Sequence, residues 1–482
     1  MRWILPGGFL GSLLLLLSGL VYARVPVGSS VAGFPLRGLR HDLALGLGCA
    51  VVGLVLLTFA WLALLRRVSG DPGGVRLVWW AAAAWTLPLL VAAPLFSNDG
   101  WSYVATGFLA GHGHSPYAVP PSVLPLPLRS GVDPVWLHTT SPYGPLPLLW
   151  GGFFSRLTSD PWFLLVANRL LAYAALVVLA LSVPVLARRT GKDPARATAL
   201  VLASPFVVAH GIGGLHNDLA VGALVAVAVV LTGPRRWWWG AMLVGLAASV
   251  KVTGLLAVVA VVLVSLVPGA TPSARLRRTA QVGAVAVGTL VLASLLSGLG
   301  LGWVGALSRT AAERARLAPT ALLGHWVVVG LAHLGPHGHA LIRTWHPEAW
   351  IKKLGLVVLA IGSGVVLLRR RVSDHAAAVL GGGLVLLAAT VLSPALHYWY
   401  FLWCLPLLAC ARLGRRAERT LVALLVALGL AAVADPAVHL HWLVSAALLL
   451  LVGAPLLTWL LEPYADRAFG RSEAVRRTLG RR

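Results

Sequence analysis

Charged residues are scarce in this sequence. Asp, Glu, Lys and Arg make up only 11% of its 482 residues, whereas soluble domains carry roughly 25%. The three cysteines, Cys49, Cys404 and Cys410, lie in apolar runs, and no Cys/His spacing is typical of a metal site. Water is therefore not the main solvent of this chain, and we expect the cysteines to pack in its core without a redox role.

Several enzyme signatures are also missing. The sequence has no Gly-Lys-Ser/Thr phosphate loop, no His-Glu-x-x-His and no Gly-x-Ser-x-Gly. Direct use of a cytoplasmic nucleotide is therefore not supported.

Acidic residues are few compared with basic ones, 15 against 39, which gives a net charge of +24. In a soluble protein this excess would suggest a nucleic-acid partner. Here the arginines collect in short loops between apolar runs, which is the positive-inside pattern of membrane proteins. We therefore expect membrane lipids and no nucleic acid as partners, with the basic loops and both termini in the cytoplasm.

Long apolar runs make up most of the chain. Residues 43–65 and 77–96 contain no charge and are long enough to cross a hydrocarbon core of roughly 30 Å. We predict an all-α, multi-pass protein of the plasma membrane with about 12 full spans, the first run being a helix and not a cleaved signal peptide. The predicted spans begin near residues 4, 43, 77, 162, 197, 218, 279, 350, 376, 399, 420 and 441.

A single transmembrane domain is predicted over residues 1–482, without internal repeats. Its distinct segments are a first outer loop (97–142), a broken, re-entrant helix pair (237–267), a second outer segment (302–349) and a basic cytoplasmic tail (462–482). Short interfacial helices are predicted at 101–110 and 144–157. Lys251 lies at the break of the helix pair, where it needs an anionic partner. That partner is either a structural carboxylate or a bound phosphate.

Asp99 lies where the third predicted span leaves the membrane on the outer side. Partial burial there would raise its pKa toward neutrality, where it could act as a general base on a sugar hydroxyl. The alternative is a helix N-cap, since Asp is a preferred capping residue.

Asp218 follows His216 and Asn217 in a polar turn between two apolar runs. It should meet the membrane at the same level as Asp99, so that two carboxylates and a histidine could converge on one cavity. Here too the alternative is helix capping.

Aromatic residues accompany these polar motifs. Tyr117 and Tyr143 each follow a proline, which fixes the backbone, and they are suited either to stack on sugars or to anchor the chain at the interface. His397 precedes Trp399 and Tyr400 at the outer end of a predicted span. This cluster is either part of the interfacial belt or, through a cationic His397, a contact for a leaving phosphate. Further phosphate candidates in the second outer segment are Arg309, Arg314, Arg316 and Arg343.

Four short motifs occur in an order that resembles the GT-C superfamily of glycosyltransferases. They are Asn-Asp-Gly-Trp-Ser-Tyr at 98–103, His-Ser-Pro-Tyr at 114–117, Ser-Pro-Tyr-Gly-Pro at 141–145 and Leu-His-Asn-Asp at 215–218. Within that superfamily the likeness is greatest to the actinobacterial polyprenol-phosphomannose-dependent α-1,6-mannosyltransferases, and it extends over most of the chain.

The resemblance implies a GT-C fold, a polyprenyl-phosphate-mannose donor, a lipid-linked mannan acceptor and inversion at the anomeric carbon, with an extracytoplasmic active site. It also implies that Asp99 is the catalytic residue. Asn98 stands where many members carry a second acidic residue, which puts metal binding in doubt, and we expect no cofactor.

The mechanism that we expect is a single displacement. Asp99 deprotonates the acceptor, and Lys251 or His397 stabilises the leaving phosphate. The full set of candidate binding residues is Asn98, Tyr103, Tyr117, Ser141, Tyr143, His216, Asn217, Asp218, Lys251, His397, Trp399 and Tyr400. Two alternatives stay open, namely the same fold with another lipid-linked sugar such as arabinose or glucose, and a lipid or solute transporter.

Overall fold

A computed structural model describes residues 2–32, 39, 42–310, 318–369 and 374–431. All regular elements in these ranges are helical, which confirms the predicted all-α class. The span predicted from residue 441 and the basic tail at 462–482 lie outside the described residues. So do Arg314 and Arg316.

The helices in the described part of the chain are numbered in chain order. They are α1 (Ile4–Tyr22), α2 (Leu43–Val68), α3 (Gly74–Thr86), α4 (Asp99–Gly111), α5 (Leu126–Arg129), α6 (Pro134–Leu137), α7 (Pro145–Ser155), α8 (Pro161–Thr190), α9 (Pro194–Leu202), α10 (Asp218–Leu231), α11 (Trp237–Val250), α12 (Val258–Ser265), α13 (Pro272–Leu296), α14 (Trp303–Thr310), α15 (Pro319–Ala332), α16 (Gly335–Trp345), α17 (Pro347–Arg369), α18 (His375–Leu392), α19 (Leu405–Cys410) and α20 (Arg415–Ala431).

Seven helical segments are long and apolar enough to cross a membrane, and a pair bent by 52° at residues 194–213 would be an eighth. The seven are α1, α2, α3 with its 3-10 extension, α8, α13, α17 and α18, and each begins close to a predicted start. The chain is therefore a multi-pass membrane protein. The total of 12 spans stays a prediction.

The span predicted from residue 399 is not one long helix. A 3-10 turn (Tyr398–Trp403) is followed by the six-residue helix α19, and the chain is extended again at Ala411. The aromatic side chains of this segment pack inward, where Trp399, Tyr400 and Trp403 are all buried. The segment thus supplies wall residues to an internal site.

Three helices begin with the same Asp-Pro pair. Asp133, Asp160 and Asp193 each accept a hydrogen bond from a backbone N–H two residues later, at 2.8 to 3.0 Å. Proline follows at the first helical position, where its missing N–H costs nothing. These carboxylates have local capping roles, which distinguishes them from Asp99 and Asp218.

Close glycine packing joins α4 to α7. A Cβ atom on Gly107 would lie 2.8 Å from the Cα atom of Gly151, and one on Gly111 would lie 2.4 Å from the carbonyl oxygen of Gly152. Small residues let two helices approach this closely inside a membrane protein. This contact fixes α4, and with it Asp99 at the N-terminus of α4.

Candidate functional site

A cavity of about 730 Å³ lies among α4, the turn after Lys251, α14 and the aromatic segment at 398–403. We call it the larger cavity. Its lining includes Asp99, Trp136, Pro142, Tyr143, Lys251, Val252, Thr253, Leu307, Ser393, Pro394, Ala395, His397, Trp399, Tyr400 and Trp403. The structure thus brings together residues separated by up to about 300 positions, including five of the predicted site residues besides Asp99.

Asp99 is the first residue of α4, and its side chain does not cap the helix. Asn98 occupies the N-cap position without a capping side-chain hydrogen bond. The Oδ1 atom of Asp99 accepts a hydrogen bond from Nε1 of Trp136 at 3.1 Å. Its Oδ2 atom lies 3.5 Å from Nδ1 of His216. The carboxylate is therefore buried and held at the cavity wall by two aromatic nitrogens, which the capping alternative does not explain.

The predicted rise in the pKa of Asp99 is wrong. Burial raises the pKa of this carboxyl, but contact with His216 and the nearby His397 and Lys251 together outweigh the burial and bring it below its ordinary value. Asp99 is therefore ionised at neutral pH. A carboxylate that is already ionised can accept a proton without first losing one.

Lys251 interrupts the helix pair as predicted from its position, with extended backbone at φ −150° and ψ 129° between α11 and a 3-10 turn. Its Nζ atom lies 2.9 Å from Oδ1 of Asp218 and 3.9 Å from the centre of the Tyr400 ring. Nε1 of Trp403 also donates to Oδ1 of Asp218, at 2.6 Å. Because Asp218 is fully buried, it contacts Lys251 from behind and does not line the larger cavity.

Trp399 lies between two histidines in a stack of three rings. The Trp399 ring is 3.9 Å from that of His216 and 4.5 Å from that of His397, and both pairs are nearly parallel. His397 faces the larger cavity, whereas His216 is 1% exposed and lies behind Asp99. The stack therefore positions His216 against Asp99, and His216 has no access to a sugar in the cavity.

The expectation of a cationic His397 is also wrong. Burial lowers the pKa of His397 to about 4, and the nearby carboxylates only partly oppose this effect. The ring is neutral at physiological pH and can offer a hydrogen bond to a phosphate but no charge. Lys251 is then the cation that lines the larger cavity in the described part of the chain.

A smaller cavity of about 320 Å³ adjoins the larger one. Asp99, Trp136, Pro142 and Tyr143 line both cavities, and the further residues of the smaller one are Ser102, Tyr103, Thr106, Pro121, Thr139, Thr140 and Ser141. The hydroxyl oxygens of Tyr103 and Tyr143 are 3.0 Å apart. The predicted residues Tyr103 and Ser141 thus belong to the smaller cavity.

Besides His216 and Asp218, three further predicted residues line neither cavity. Asn98 donates to Asp133 at 3.3 Å, Asn217 precedes α10 at its N-cap, and Tyr117 is buried against Gly302. Trp136 and Trp403, which contact the two carboxylates, were not predicted. With 20 tryptophans in the chain, nothing in the sequence distinguished these two.

Backbone strain occurs just before each of the two carboxylates. Phe96 and Leu215 have φ values of +61° and +59°, and each lies three residues before an aspartate. Non-glycine residues in this conformation cost roughly 1–3 kcal/mol and persist only where the surroundings enforce them. Arg169 provides such surroundings, because its buried guanidinium donates to the carbonyl of Ala92 and, at 3.3 Å, to that of Gly213.

Gly144 places the loop after Tyr143 directly against the end of α11. Its N–H donates to the carbonyl of Val250 at 3.0 Å, and a Cβ atom on it would lie 2.3 Å from the carbonyl oxygen of Ser249. The glycine of the Ser-Pro-Tyr-Gly-Pro motif is therefore required by close backbone approach. Through it, Tyr143 and Lys251 are held side by side.

We expect Gly144→Ala to lower the free energy of unfolding by roughly 1–3 kcal/mol, the range for overpacked sites, because backbone atoms cannot move aside cheaply. Tryptophan fluorescence during thermal unfolding in detergent would measure the change. Gly288→Ala is the matched control, since a Cβ there meets nothing within 4 Å and the backbone φ is not positive. An equal effect of the two substitutions would contradict the role assigned to Gly144.

Two family models match the chain. The model described as "Alpha-(1->6)-mannopyranosyltransferase, N-terminal domain" matches residues 4–267, and the model described as "MptB C-terminal domain" matches residues 319–461. The residues that line the smaller cavity lie in the first match. The larger cavity is lined by residues of the first match, by the 393–403 segment of the second and by Leu307 between them.

Similar proteins carry the same activity in their names. The chain is 29% identical over 429 residues to alpha-(1->6)-mannopyranosyltransferase A of Mycobacterium tuberculosis, covering 85% of this chain and 80% of that protein. It is 34% identical over 215 residues to alpha-(1->6)-mannopyranosyltransferase A of Corynebacterium glutamicum, covering 43% and 44%. A probable alpha-(1->6)-mannopyranosyltransferase of Mycolicibacterium smegmatis is 28% identical, covering 84% and 78%. The search of solved structures found no match.

Proposed function

This chain belongs to the alpha-(1->6)-mannopyranosyltransferase family, and from that premise we propose that it transfers mannose from polyprenyl phosphate to a lipid-linked mannan, with Asp99 as the base. It is a membrane-bound mannosyltransferase. The observation that carries the proposal is the position of Asp99, whose carboxylate lies where a cavity containing a lysine meets a cavity lined by hydroxyl groups. Family membership favours an enzyme over the transporter alternative.

The larger cavity has the chemistry that a lipid phosphate donor requires. An ammonium group has three donors. Lys251 directs one of them to Asp218 and lies against Tyr400, so that one remains for a phosphate oxygen. Val252, Leu307 and Ala395 provide apolar wall next to the cation. A soluble nucleotide sugar would have no use for that wall, whereas the first units of a prenyl chain would pack against it.

The proposed reaction is one displacement at the anomeric carbon. The acceptor oxygen attacks that carbon, the bond from the carbon to the phosphate oxygen breaks, and its electron pair leaves with polyprenyl phosphate. The acceptor proton moves to Asp99. Lys251 stabilises the negative charge that grows on the phosphate, which is the step where a preorganised cation is most effective. Attack from the face opposite the phosphate inverts the anomeric configuration.

The side of the membrane is part of the proposal. Arg-bearing loops at 66–76, 188–196 and 412–419 fit a cytoplasmic position, and Asp99 follows the third span. We therefore propose an extracytoplasmic site at the plasma membrane, with both termini in the cytoplasm. A lipid-linked donor is suited to an extracytoplasmic site, since its prenyl chain lies in the membrane and carries the sugar to the outer surface.

The proposal is tested with membranes that contain the protein or an empty vector. Radiolabelled mannose on polyprenyl phosphate is supplied with a short α-1,6-mannoside, and parallel reactions carry arabinose or glucose on the same lipid. We expect labelled mannan only with the mannose donor and only when the protein is present. Transfer from another donor alone would assign a different sugar, and no transfer from any of them would exclude the proposed reaction.

The lowered pKa of Asp99 has a consequence for pH dependence. Since its folded value lies below the ordinary 3.8, the loss of activity caused by protonating Asp99 occurs only as pH falls below about 4. We expect kcat/KM to show no limb from Asp99 between pH 5 and 8. A limb near neutrality that is absent from the residual activity of Asp99→Asn would contradict this.

A further inference from the structure

The two cavities meet at one carboxylate but differ in chemistry. Asp99 and Tyr143 lie in the walls of both. Lys251 lines the larger cavity, whereas none of the described residues that line the smaller one is Lys, Arg or His. An anionic ligand is therefore favoured in the larger cavity, and a neutral ligand in the smaller one.

Two hydroxyl groups in the smaller cavity have no partner. Ser102 is 9% exposed and Thr140 is 6% exposed, and neither side-chain oxygen has a hydrogen-bond partner among the described residues. A buried hydroxyl without a partner costs free energy, and an unpaired group in a cavity wall is explained when a ligand supplies the partner. Ser102 lies on α4 one turn after Asp99, and Thr140 lies in the loop before Tyr143.

Thr106 shows that these free hydroxyls are not a general feature of the wall. It lies on α4 one turn after Ser102, and it lines the same cavity. Its hydroxyl, however, donates to the carbonyl of Ser102 at 2.8 Å and is occupied by the helix backbone. Of these three hydroxyls, those of Ser102 and Thr140 lack a hydrogen-bond partner among the described residues.

We propose that the smaller cavity binds the terminal sugar of the acceptor, and that Ser102 and Thr140 donate to or accept from its hydroxyl groups. This inference rests on the proposed function and assigns one of its two substrates to one place. Among the described residues that line it, the smaller cavity has hydroxyl groups and no cation. It therefore suits a neutral sugar better than a sugar with its lipid phosphate.

The assignment also explains how the base meets its substrate. The Oδ1 atom of Asp99 accepts from Trp136, and a carboxylate oxygen has a second lone pair for a sugar hydroxyl. A sugar held by Ser102 and Thr140 would direct one hydroxyl across Asp99 toward the larger cavity. The edge-to-face pair of Tyr103 and Tyr143, with ring centres 5.1 Å apart, provides aromatic wall for the sugar ring.

Kinetics of Ser102→Ala and Thr140→Val test the proposal with a short α-1,6-mannoside as acceptor and polyprenyl phosphomannose as donor. We expect each substitution to raise the acceptor KM roughly 3- to 10-fold, as for one lost hydrogen bond, with the donor KM changed less than twofold. Thr106→Val is the matched comparison on the same wall. The fold-increase that it causes in the acceptor KM should be less than half of the increase caused by Ser102→Ala or by Thr140→Val. An unchanged acceptor KM in both variants, or a raised donor KM instead, would overturn the assignment.

Binding of the mannoside to purified protein separates this inference from the proposed function. Saturation-transfer NMR in nanodiscs reports binding without any donor or transfer. If the wild-type protein transfers no mannose but binds the mannoside, and Ser102→Ala weakens that binding, the subsite stands and the proposed donor fails. If the wild-type protein transfers mannose and both variants bind the mannoside as well as wild type, the subsite assignment fails and the proposed function stands.

Discussion

Asp99→Asn should lower kcat/KM for mannose transfer by roughly 10²- to 10⁴-fold, the contribution typical of one general base. The amide keeps the size of the side chain and can still accept the hydrogen bond from Trp136, but it cannot take up a proton. The effect should therefore fall on the chemical step, with both KM values changed much less than kcat. Single-turnover transfer with saturating donor in membranes of matched expression would measure it.

Asp133→Asn is the matched control for this experiment. It removes a carboxylate from the same loop region, where Asp133 caps α6 and accepts from Asn98. It does not line either cavity. We expect transfer within about threefold of wild type, as for a lost local hydrogen bond. Equal activity of Asp99→Asn and wild type would rule out Asp99 as the base.

Lys251→Met should have the second-largest effect, with two separable parts. It leaves Asp218 charged, fully buried and without its ion-pair partner. Breaking a buried pair by removing one partner costs roughly 3–5 kcal/mol of stability. If Lys251 also binds the donor phosphate, the donor KM should rise by roughly 10- to 100-fold, as for a charge-assisted hydrogen bond.

The double variant Lys251→Met/Asp218→Asn separates stability from donor binding. Removing both charges should restore most of the thermal stability, because no unpaired charge remains in the interior. The donor KM should stay high, because the phosphate still lacks its cation. Recovery of the wild-type donor KM in the double variant would show that Lys251 only neutralises a structural carboxylate. Thermal unfolding and donor titration on the same preparations provide both measurements.

Lys251 shows which features of the site could be predicted from the local sequence and which could not. A lysine in an apolar stretch too short for two crossings predicted an interruption, and the backbone is extended at that residue. What the lysine contacts could not be predicted, since Asp218 and Trp403 approach from 33 positions before it and 152 after it. The two alternatives for its partner stayed open for that reason, and the structure adds Asp218 without excluding a phosphate.

Asp99 shows where reasoning from burial alone fails. Burial does raise the pKa of its carboxyl, as expected, but the net direction depends on His216, His397 and Lys251, which are distant in sequence. For His397 the expected charge was wrong in the other direction, because burial lowers its pKa to about 4 and makes the ring neutral. The sequence did not predict a role for Trp136. Its indole N–H reaches Asp99 only because the loop between them folds back toward the start of α4.

By itself, the sequence determined that this protein lies in a membrane and that its secondary structure is helical. Long uncharged runs can lie only in a membrane, and backbone in a membrane must bond to itself, so the all-α class followed from composition and run length. The short motifs determined the family. Only the tertiary structure decided which carboxylate lines a cavity and which lies behind a lysine, because Asp99 and Asp218 have similar positions in their motifs and differ in what folds against them.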